Sequence, residues 1–542
     1  MSVVVDGDSL TADQVLRVAR PAGRQRYADV ALGAEARERL IRTRDHIETR
    51  WMHDQAPLMY GFNTGVGQFK DRRVPVAEMA NYQRQLIKAH ATGTGEPFGT
   101  DVVRAVMLLR VNALAAGFSG PSVSVVDRLL AFLNTGLHPV IPSQGSVGAS
   151  GDLAPLAYLA AALCGFSEAQ IEYRGQRLSA PEALSAAGLP AEFELVAKDA
   201  SALLNGSTVS LALGVLAAYD AWRVVRTADV ALAMSLEAMR GELAAFRPPV
   251  HRARPHPGQQ SAARNVLKLA GDSRRCSPEA RNVVFPEENR AAGQPPAPRI
   301  QDVYSIRCGP QVHGPVRDAL GYIDRVLEIE SNAATDNPLI FETGEGYEVV
   351  SGGNFHGQSV AQALDLLAIA LTDLGSISER RLARLLDPAM SLGLPRNLNA
   401  GPAGVNTGYA SVQCSMSALV MESRTHAAPG SIDSIPGKGN AEDHVSNSAW
   451  CARKAGIVVG NVEQIVAVEM LMAAQALTLV EPLVHEYPLG RGTAAAMAAV
   501  RRAVPPALDG DRWFHTEIAT MLDLARSGAI VEAAEAAVGP LE

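Results

Sequence analysis

Cysteine is scarce in this chain and is not arranged for cross-linking or for metal binding. The 542 residues include five cysteines, an odd number at widely separated positions: Cys164, Cys276, Cys308, Cys414 and Cys451. None of them forms a C-x-x-C pair, which argues against a disulfide framework and against a zinc site. We therefore expect small buried thiols in a reducing compartment and no bound metal.

An excess of positive charge is also lacking. The formal net charge is −8 and the chain has no basic tail, which argues against nucleic acid or an anionic membrane as a partner. The first residues, Met1–Gln14, lack the charged and apolar segments of a secretory signal. The nearest approach to a membrane span, Ile457–Val480, is interrupted by Asn461, Glu463, Gln464 and Glu469. We expect a cytoplasmic protein.

Proline is absent from three long windows, and these windows have helical patterns. They lie between Pro190 and Pro248, between Pro338 and Pro388, and between Pro436 and Pro482. Apolar residues recur there at spacings of three and four, and alanine and leucine are abundant. This predicts helices over Ser207–Leu243, from about Val360 to Leu386, and from about Val445 to Leu479. Several long helices with more than one apolar face predict an all-α fold built on a central bundle.

The remaining segments suggest three consecutive domains. Residues 1–190 have shorter helices and more loops, residues 191–480 hold the long helices, and residues 481–542 form an alanine-rich helical cap. Strand patterns are rare, with hairpins expected only near Glu172–Leu178 and Tyr347–Val350. Polar loops on such a helical scaffold are where functional sites usually lie.

The most informative local sequence is GSVGASGDLAPLAYLAAAL, Gly145–Leu163. In a tight turn at Ala149-Ser150-Gly151, the Gly151 nitrogen can approach the Ala149 carbonyl carbon, because glycine has no Cβ to block it. Ring closure with loss of two waters would leave an exocyclic methylidene, an electrophile that no ordinary side chain supplies. Asp152 would then assist the dehydration or cap the next helix. The plain alternative is a turn followed by a helix cap; a G-x-S-x-G serine elbow would need glycine at position 152.

These residues resemble the signature of the aromatic amino acid ammonia-lyases and aminomutases. Six further motifs of that family occur in order, at Tyr60–Gly67, Leu203–Thr208, Gln301–Gly314, Ala334–Leu339, Ser351–Gln358 and Gly439–Ser446. The resemblance implies a fumarase/aspartase-like all-α fold and a 4-methylideneimidazol-5-one group formed autocatalytically from Ala149, Ser150 and Gly151, with no external cofactor. It also implies an amino acid substrate and a homotetramer whose active sites draw on three subunits.

The resemblance also assigns roles to single residues. Tyr60 would be the base on the inner loop, whose glycines, Gly67 among them, would let it close over substrate. Asn205 would bond the prosthetic group or the amine, and the planar fork of Arg307 would clamp the substrate carboxylate. The remaining residues would orient or contact the substrate: Gln301, Tyr304, Asn337 and Phe355. Considered singly, each of these residues is more simply a packing, capping or surface residue.

Two places bear on the choice of amino acid. The pair Ala89-His90 half resembles the Ser-His pair of histidine lyases, and Glu442 matches their glutamate, whereas phenylalanine enzymes usually carry glutamine there. A buried carboxylate suits a side chain with an N–H donor, such as imidazole, better than a phenyl ring. An alternative is that Glu442 simply pairs with His444. The sequence departs from the histidine type at Val66, Ala89, Asp199, Gln358 and Ala441, positions expected mostly at the pocket or inner loop.

The leading hypothesis is therefore the elimination of ammonia from L-histidine to give urocanate. A tyrosine or phenylalanine ammonia-lyase, or a 2,3-aminomutase that returns ammonia to the β-carbon, is the first alternative. Two others are a catalytically silent scaffold and a fumarase-type lyase without the prosthetic group. The intact Tyr60, Ser150, Asn205 and Arg307 argue against the silent scaffold.

Overall fold

The structure is a computed structural model that describes residues 2–21, 27–283, 285, 299–344, 346–437 and 441–542. Within these residues helices predominate, as the sequence predicts. Residues Gly439 and Asn440 of the motif Gly439–Ser446 lie outside the described residues.

Helices make up most of the described chain. The first eight are α1 (Ala12–Ala19), α2 (Ala34–His46), α3 (Met79–His90), α4 (Thr100–Ala115), α5 (Val123–Thr135), α6 (Leu153–Leu163), α7 (Ala180–Ala186) and α8 (Asp199–Leu204). The next seven are α9 (Thr208–Ala238), α10 (Pro248–Arg252), α11 (Pro257–Ala270), α12 (Pro278–Arg281), α13 (Tyr304–Arg307), α14 (Gly309–Ser331) and α15 (Gln358–Leu386). The last five are α16 (Ala410–His426), α17 (Ser448–Val484), α18 (Arg491–Ala503), α19 (Phe514–Arg526) and α20 (Ala529–Val538).

Strands are short and form small separate sheets. They are β1 (Val3–Val5), β2 (Val30–Leu32), β3 (Thr94–Pro97), β4 (His138–Pro139), β5 (Pro142–Gln144), β6 (Gln170–Tyr173), β7 (Gln176–Ser179), β8 (Leu339–Thr343) and β9 (Gly346–Val350). β1 and β2 pair in parallel, whereas β3–β5, β4–β6–β7 and β8–β9 are antiparallel. The hairpins β6–β7 and β8–β9 confirm the two expected near Glu172–Leu178 and Tyr347–Val350.

The three long helices predicted from the proline-free windows are α9, α15 and α17, and their observed bounds agree with the predictions within five residues at each end. By length and composition alone each could cross a membrane, but 72%, 61% and 83% of their most apolar windows are buried within the protein. Their apolar faces therefore pack against other parts of the chain.

Buried polar residues inside these helices include a paired glutamate and arginine. Glu469 of α17 is fully buried, and its carboxylate accepts hydrogen bonds of 2.5 and 2.8 Å from Arg381 of α15. Ser235 and Ser378 donate to the same carboxylate at 2.7 and 2.6 Å. The pairing explains how a glutamate can interrupt an apolar helix, because a buried charge is tolerated when its oxygens are bonded.

The chain divides into two compact units, each made of three segments. The first unit comprises Met1–Ala217, Ile323–Asp365 and Pro429–Arg453, and the second comprises Ala218–Tyr322, Leu366–Ala428 and Lys454–Glu542. Each unit is held together by contacts between segments that are distant in the sequence. They differ from the consecutive ranges 1–190, 191–480 and 481–542, and that three-part division stays a prediction.

Candidate active site

The Ala149-Ser150-Gly151 segment lies in a tight turn between β5 and α6. Ser150 has a φ of +58°, and Gly148 and Gly151 have φ values of +80° and +82°. Left-handed backbone is uncommon for a residue with a side chain, so the conformation of Ser150 is held by its surroundings. The Gly151 N–H donates to the Gly148 carbonyl at 3.3 Å, which closes the turn.

This turn packs directly on the Asn205-Gly206 segment, which links α8 to α9. Gly151 and Gly206 form a parallel bridge, with Gly206 N donating to Ser150 O at 3.2 Å and Asp152 N donating to Gly206 O at 2.8 Å. A Cβ on Gly151 would lie 2.2 Å from the Gly206 carbonyl carbon. Only glycine therefore permits this close contact of two backbones.

The Asp152 carboxylate binds the N-terminus of a different helix from the one that follows it. Asp152 precedes α6 but makes no side-chain cap bond to it. Its oxygens instead accept from the Ser210 N–H at 2.8 Å and from the Ser210 hydroxyl at 2.9 and 3.0 Å. Ser210 lies in the first turn of α9, where unpaired N–H groups favour a carboxylate. Burial nevertheless raises the pKa of Asp152, against the effect of these hydrogen bonds.

A cavity of about 390 Å³ opens beside the turn. All of its described lining residues belong to the first unit: Tyr60, Gly61, Val66, Gly67, Gln68, Phe69, Leu86, His90, Ser150, Leu153, Ser201, Leu204, Asn205, Asn337 and Glu442. Ser150 and the inner loop thus line the same space. Its mixed polar and apolar lining is typical of a small-molecule site.

The inner loop places Tyr60 at the edge of this cavity. Phe62 anchors the loop in a small core with Ile47 and Ile340. The Gly67 N–H donates to the Tyr60 hydroxyl at 3.4 Å. Burial raises the pKa of Tyr60, and the negative charge of Glu442 raises it further. In the single chain, therefore, the surroundings of Tyr60 favour the neutral phenol rather than the phenolate.

Two asparagines form the polar floor of the cavity. Asn205 Nδ2 donates to the Asn337 carbonyl at 2.9 Å, whereas Asn205 Oδ1 is buried without a hydrogen-bond partner among the described residues. The Asn337 side-chain oxygen accepts from Ser351 Oγ at 3.1 Å and from Gly352 N at 2.7 Å. Because a buried acceptor is costly to leave unpaired, Asn205 Oδ1 is suited to bind a ligand group.

Buried charged side chains lie next to the backbone of these two asparagines. Lys198 Nζ is 2.6 Å from Asp336 Oδ2, and neither side chain is exposed. Arg110 is fully buried as well, and its Nη1 donates to the Asn205 carbonyl. Burial lowers the pKa of Arg110 to about 10, while the charge of Asp336 acts in the opposite direction. This cluster holds the Asn205 and Asn337 backbones, since Asp336 also accepts from Asn337 N at 2.6 Å.

Only some of the residues predicted to select the substrate lie at the cavity. His90 and Glu442 line the cavity, and His90 Nδ1 bonds to the Leu86 carbonyl at 2.8 Å. Ala89 is exposed, because neighbouring residues of a helix point to different sides. His444 stacks on His356, with nitrogen atoms 3.2 Å apart, which gives it a partner other than Glu442.

The structure brings together many of the predicted site residues, but not all. Seven line the cavity: Tyr60, Gly67, His90, Ser150, Asn205, Asn337 and Glu442. Ala149 and Gly151 belong to the turn itself, and Ala89 and Phe355 are not among the described lining residues. Gln301, Tyr304 and Arg307 belong to the second unit and do not line it either. Their roles stay predictions.

Sequence reasoning overlooked much of the wall of the cavity. Leu86 lies four residues before His90 in α3, and Ser201 lies four residues before Asn205. The helical spacing in α3 places Leu86 on the same face as His90 and could have indicated it, whereas Asn205 follows the end of α8 in extended backbone. Gln68, between Gly67 and Phe69, had no such signal. Of the positions that depart from the histidine type, only Val66 is among the described lining residues.

Comparison with known proteins decides the family. The family profile described as aromatic amino acid lyase matches residues 10–502. The chain belongs to the aromatic amino acid lyase family. It is accordingly a carbon–nitrogen lyase of the ammonia-lyase type.

Relatives within this lyase family match the whole chain. A histidine ammonia-lyase of Gloeobacter violaceus is 44% identical and covers 100% of this chain and 99% of its own. One of Symbiobacterium thermophilum is also 44% identical and covers 100% of both.

Solved structures share the fold. A crystal structure of histidine ammonia-lyase from Trypanosoma cruzi superposes with a TM-score of 0.86, at 36% identity over 99% of this chain and 96% of that one. A tyrosine aminomutase from Streptomyces globisporus gives a TM-score of 0.88, at 34% identity over 100% of both chains. These similarities confirm the predicted all-α, ammonia-lyase-like architecture.

Proposed function

We propose that this chain eliminates ammonia from L-histidine and forms urocanate. The observation that carries the proposal is the presence of His90 and Glu442 in the cavity that also holds Ser150 and Tyr60. A carboxylate in a mostly apolar cavity can accept an imidazole N–H, an interaction that a phenyl ring does not offer. The two 44% identical relatives named histidine ammonia-lyase support the same choice.

The turn residues fit the 4-methylideneimidazol-5-one group that this family uses. Ser150 is held in left-handed backbone, and the Gly151 backbone is pressed against Gly206 where no side chain fits. Asn205, whose Oδ1 is a buried acceptor with no hydrogen-bond partner in the described part of the chain, lines the same cavity. When formed, the group would supply an electrophilic carbon, which is the chemistry that an amine needs to become a better leaving group.

The other residues of the cavity would bind the substrate and move its proton. Tyr60 would remove the β-proton, which requires its phenol to ionise near neutral pH. Because burial and Glu442 raise the Tyr60 pKa in the single chain, an additional positive charge is needed at the assembled site. Asn205 would bond the amine, while Leu86 and Leu153 would hold the ring and exclude water.

That positive charge would come from another subunit. Tyr304 is 71% exposed, and the Arg307 guanidinium lies 4.6 Å from the centre of its ring. An exposed aromatic ring beside a partly buried cation, at positions where the family binds substrate, suits a neighbouring active site. We therefore include in the proposal a homotetramer whose active sites receive Gln301, Tyr304 and Arg307 from a second subunit, and a cytoplasmic location.

A direct assay tests this substrate choice. Purified protein is incubated separately with L-histidine, L-tyrosine and L-phenylalanine, and the product spectra are recorded. We expect urocanate from histidine, no product from the Ser150→Ala variant, and full activity in Ser124→Ala, an exposed serine as the matched control. Absence of urocanate would contradict the proposal, and a β-amino acid from tyrosine or phenylalanine would support an aminomutase instead.

A further inference from the structure

A cluster of buried hydroxyl and carboxyl groups lies beside the Ala149–Gly151 turn and is not part of the cavity lining. Five of its members are completely buried: Asp152, Ser207, Ser210, Ser446 and Ser448. Ser146 and Glu330 complete it through hydrogen bonds to members of this set. Substrate binding as proposed above requires none of them, so the cluster calls for another explanation.

The hydroxyl groups form a continuous chain that ends on Asp152. Ser210 Oγ lies 2.9 Å from an Asp152 oxygen and 2.9 Å from Ser448 Oγ. Ser448 Oγ lies 3.2 Å from Ser446 Oγ. Each hydroxyl can donate one proton and accept others, so a proton can move along this line without water.

The same cluster touches the turn on two sides. Ser146 Oγ donates to Asp152 at 3.0 Å and accepts from the Gly148 N–H at 3.2 Å. Ser446 Oγ is so close to Gly148 that a Cβ there would lie 2.2 Å from it. The carboxylate and its hydroxyl partners are thus fixed against the segment that must cyclise.

Cyclisation requires several proton transfers in this buried place. A bond forms between Gly151 N and the Ala149 carbonyl carbon, and the Ala149 oxygen and Ser150 Oγ leave as two waters. The four hydrogens of these waters come from Gly151 N, Ser150 N, Ser150 Cα and Ser150 Oγ, so no oxidant or reductant is needed. A group at the turn must carry protons from nitrogen and carbon to the departing oxygens.

We propose that Ser210 is a positioning residue for this maturation: it holds the Asp152 carboxylate against the turn as the group that accepts and returns these protons. Ser448 and Ser446 extend the path along which a proton can be relayed. Asp152 ends the sequence in its starting state, because it returns each proton that it accepts. The inference rests on the proposed function, since it presumes that Ala149, Ser150 and Gly151 cyclise.

A second buried carboxyl group supports this assignment. Glu330 accepts from Ser207 Oγ at 2.7 Å, and burial together with the charge of Asp152 raises its pKa. Two neighbouring buried carboxyl groups resist carrying two negative charges, so the charge of each one favours the protonated form of the other. The turn therefore has a second carboxyl group close to Asp152 that can take part in proton transfer.

The test measures maturation directly, by the intact mass of the denatured chain at intervals after synthesis. Cyclisation lowers the mass by two water molecules. We expect Ser210→Ala to slow the appearance of the lighter species on the order of 100-fold, as small misplacements of a reacting group do. Ser210→Thr, which keeps the hydroxyl, should mature within a few-fold of the wild-type rate. Activity per matured chain should not change in either variant.

Two further variants complete the test: one is a control outside the cluster, and the other removes a second hydroxyl of the cluster. Ser235→Ala removes a serine that donates to the buried Glu469 in the second unit and should mature normally. Ser448→Ala shortens the hydroxyl chain but keeps the Ser210–Asp152 bond, so it should slow maturation less than Ser210→Ala and serves if that variant does not fold. Normal maturation of Ser210→Ala, or of Ser448→Ala in its place, would overturn the role of the cluster. Equal slowing in Ser235→Ala would overturn its specificity. If wild-type protein itself shows no lighter species, the proposed function fails, and this inference with it.

Discussion

Removal of the Asp336 carboxylate should destabilise the first unit more than removal of its ammonium partner. Lys198 and Asp336 are both inaccessible to solvent and lie 2.6 Å apart. Arg110 is buried beside them, and the charge of Asp336 favours its cationic form. One carboxylate therefore compensates two buried cations. The substitutions that remove either end of the pair should not be equivalent.

The structure sets the order of the two effects. Breaking a buried ion pair by removing one partner costs about 3–5 kcal/mol. In Lys198→Met, Asp336 retains the cation of Arg110 and the N–H of Asn337, so we expect a loss of about 3 kcal/mol. In Asp336→Asn, a replacement of nearly equal size, Lys198 and Arg110 both lose the charge of Asp336, and Lys198 keeps only the weaker attraction of Asp199. We expect a loss of about 5 kcal/mol in that variant.

Denaturant unfolding at one fixed protein concentration, followed by far-ultraviolet circular dichroism, measures both losses. Asp127→Asn is the matched control, because Asp127 pairs with Arg37 on the surface, where such a pair contributes about 0–1 kcal/mol. The reasoning would be refuted if Lys198→Met lost as much unfolding free energy as Asp336→Asn. It would also be refuted if Asp336→Asn lost no more than the control.

The same variant should change the pH dependence of stability. Burial lowers the pKa of Lys198, and Asp336 opposes that effect. Without Asp336 the folded-state pKa falls further, so the unfolded chain binds more protons than the folded chain over a wider range below the ordinary lysine pKa. Stability of Asp336→Asn should therefore begin to rise with pH at a lower pH than that of the wild type, and the two slopes should agree closer to the ordinary lysine pKa.

Three shorter predictions concern the site and its support. Glu442→Gln should lower the pKa of Tyr60, and the rising limb of the kcat/KM–pH profile should move to lower pH. The same variant should reduce turnover of histidine. An unmoved limb would contradict the effect of the Glu442 charge on Tyr60. Gly206→Ala should lower the free energy of unfolding by about 2–4 kcal/mol, through left-handed backbone and overpacking. The added Cβ would lie 2.1 Å from Thr335 O. An unchanged unfolding midpoint would refute this contact. Burial, reinforced by the charge of Arg104, lowers the pKa of His138 to about 4. The stability of the folded chain should therefore fall as pH drops from about 6.5 to 4, because the unfolded chain binds the proton first. His138→Gln should reduce this pH dependence in acid-unfolding curves.

Local patterns in the sequence were sufficient for the helices and for the turn. Proline-free stretches with apolar spacing predicted α9, α15 and α17, because helix formation depends on residues within a few positions of each other. Gly148, Ser150 and Gly151 indicated a tight turn for the same reason, and all three have left-handed backbone. The family resemblance added the residues of the inner loop, of which Tyr60, Gly61, Val66 and Gly67 line the cavity.

Other features depended on contacts between distant parts of the chain. The sequence offered Asp152 as a cap for the helix that follows it, yet its carboxylate binds Ser210, 58 positions away. Nothing near Lys198 in the chain indicates that it pairs with Asp336, which lies 138 positions further on. The division into two units likewise joins segments that are far apart in the sequence.

The sequence by itself determined the family, the long helices and the tight turn at Ala149-Ser150-Gly151, because each is encoded in neighbouring residues. Only the tertiary structure decided which side chains share the cavity with Ser150 and which buried charges support it. Helix faces and backbone turns are local properties, whereas a cavity and an ion pair exist only when segments distant in sequence are packed together.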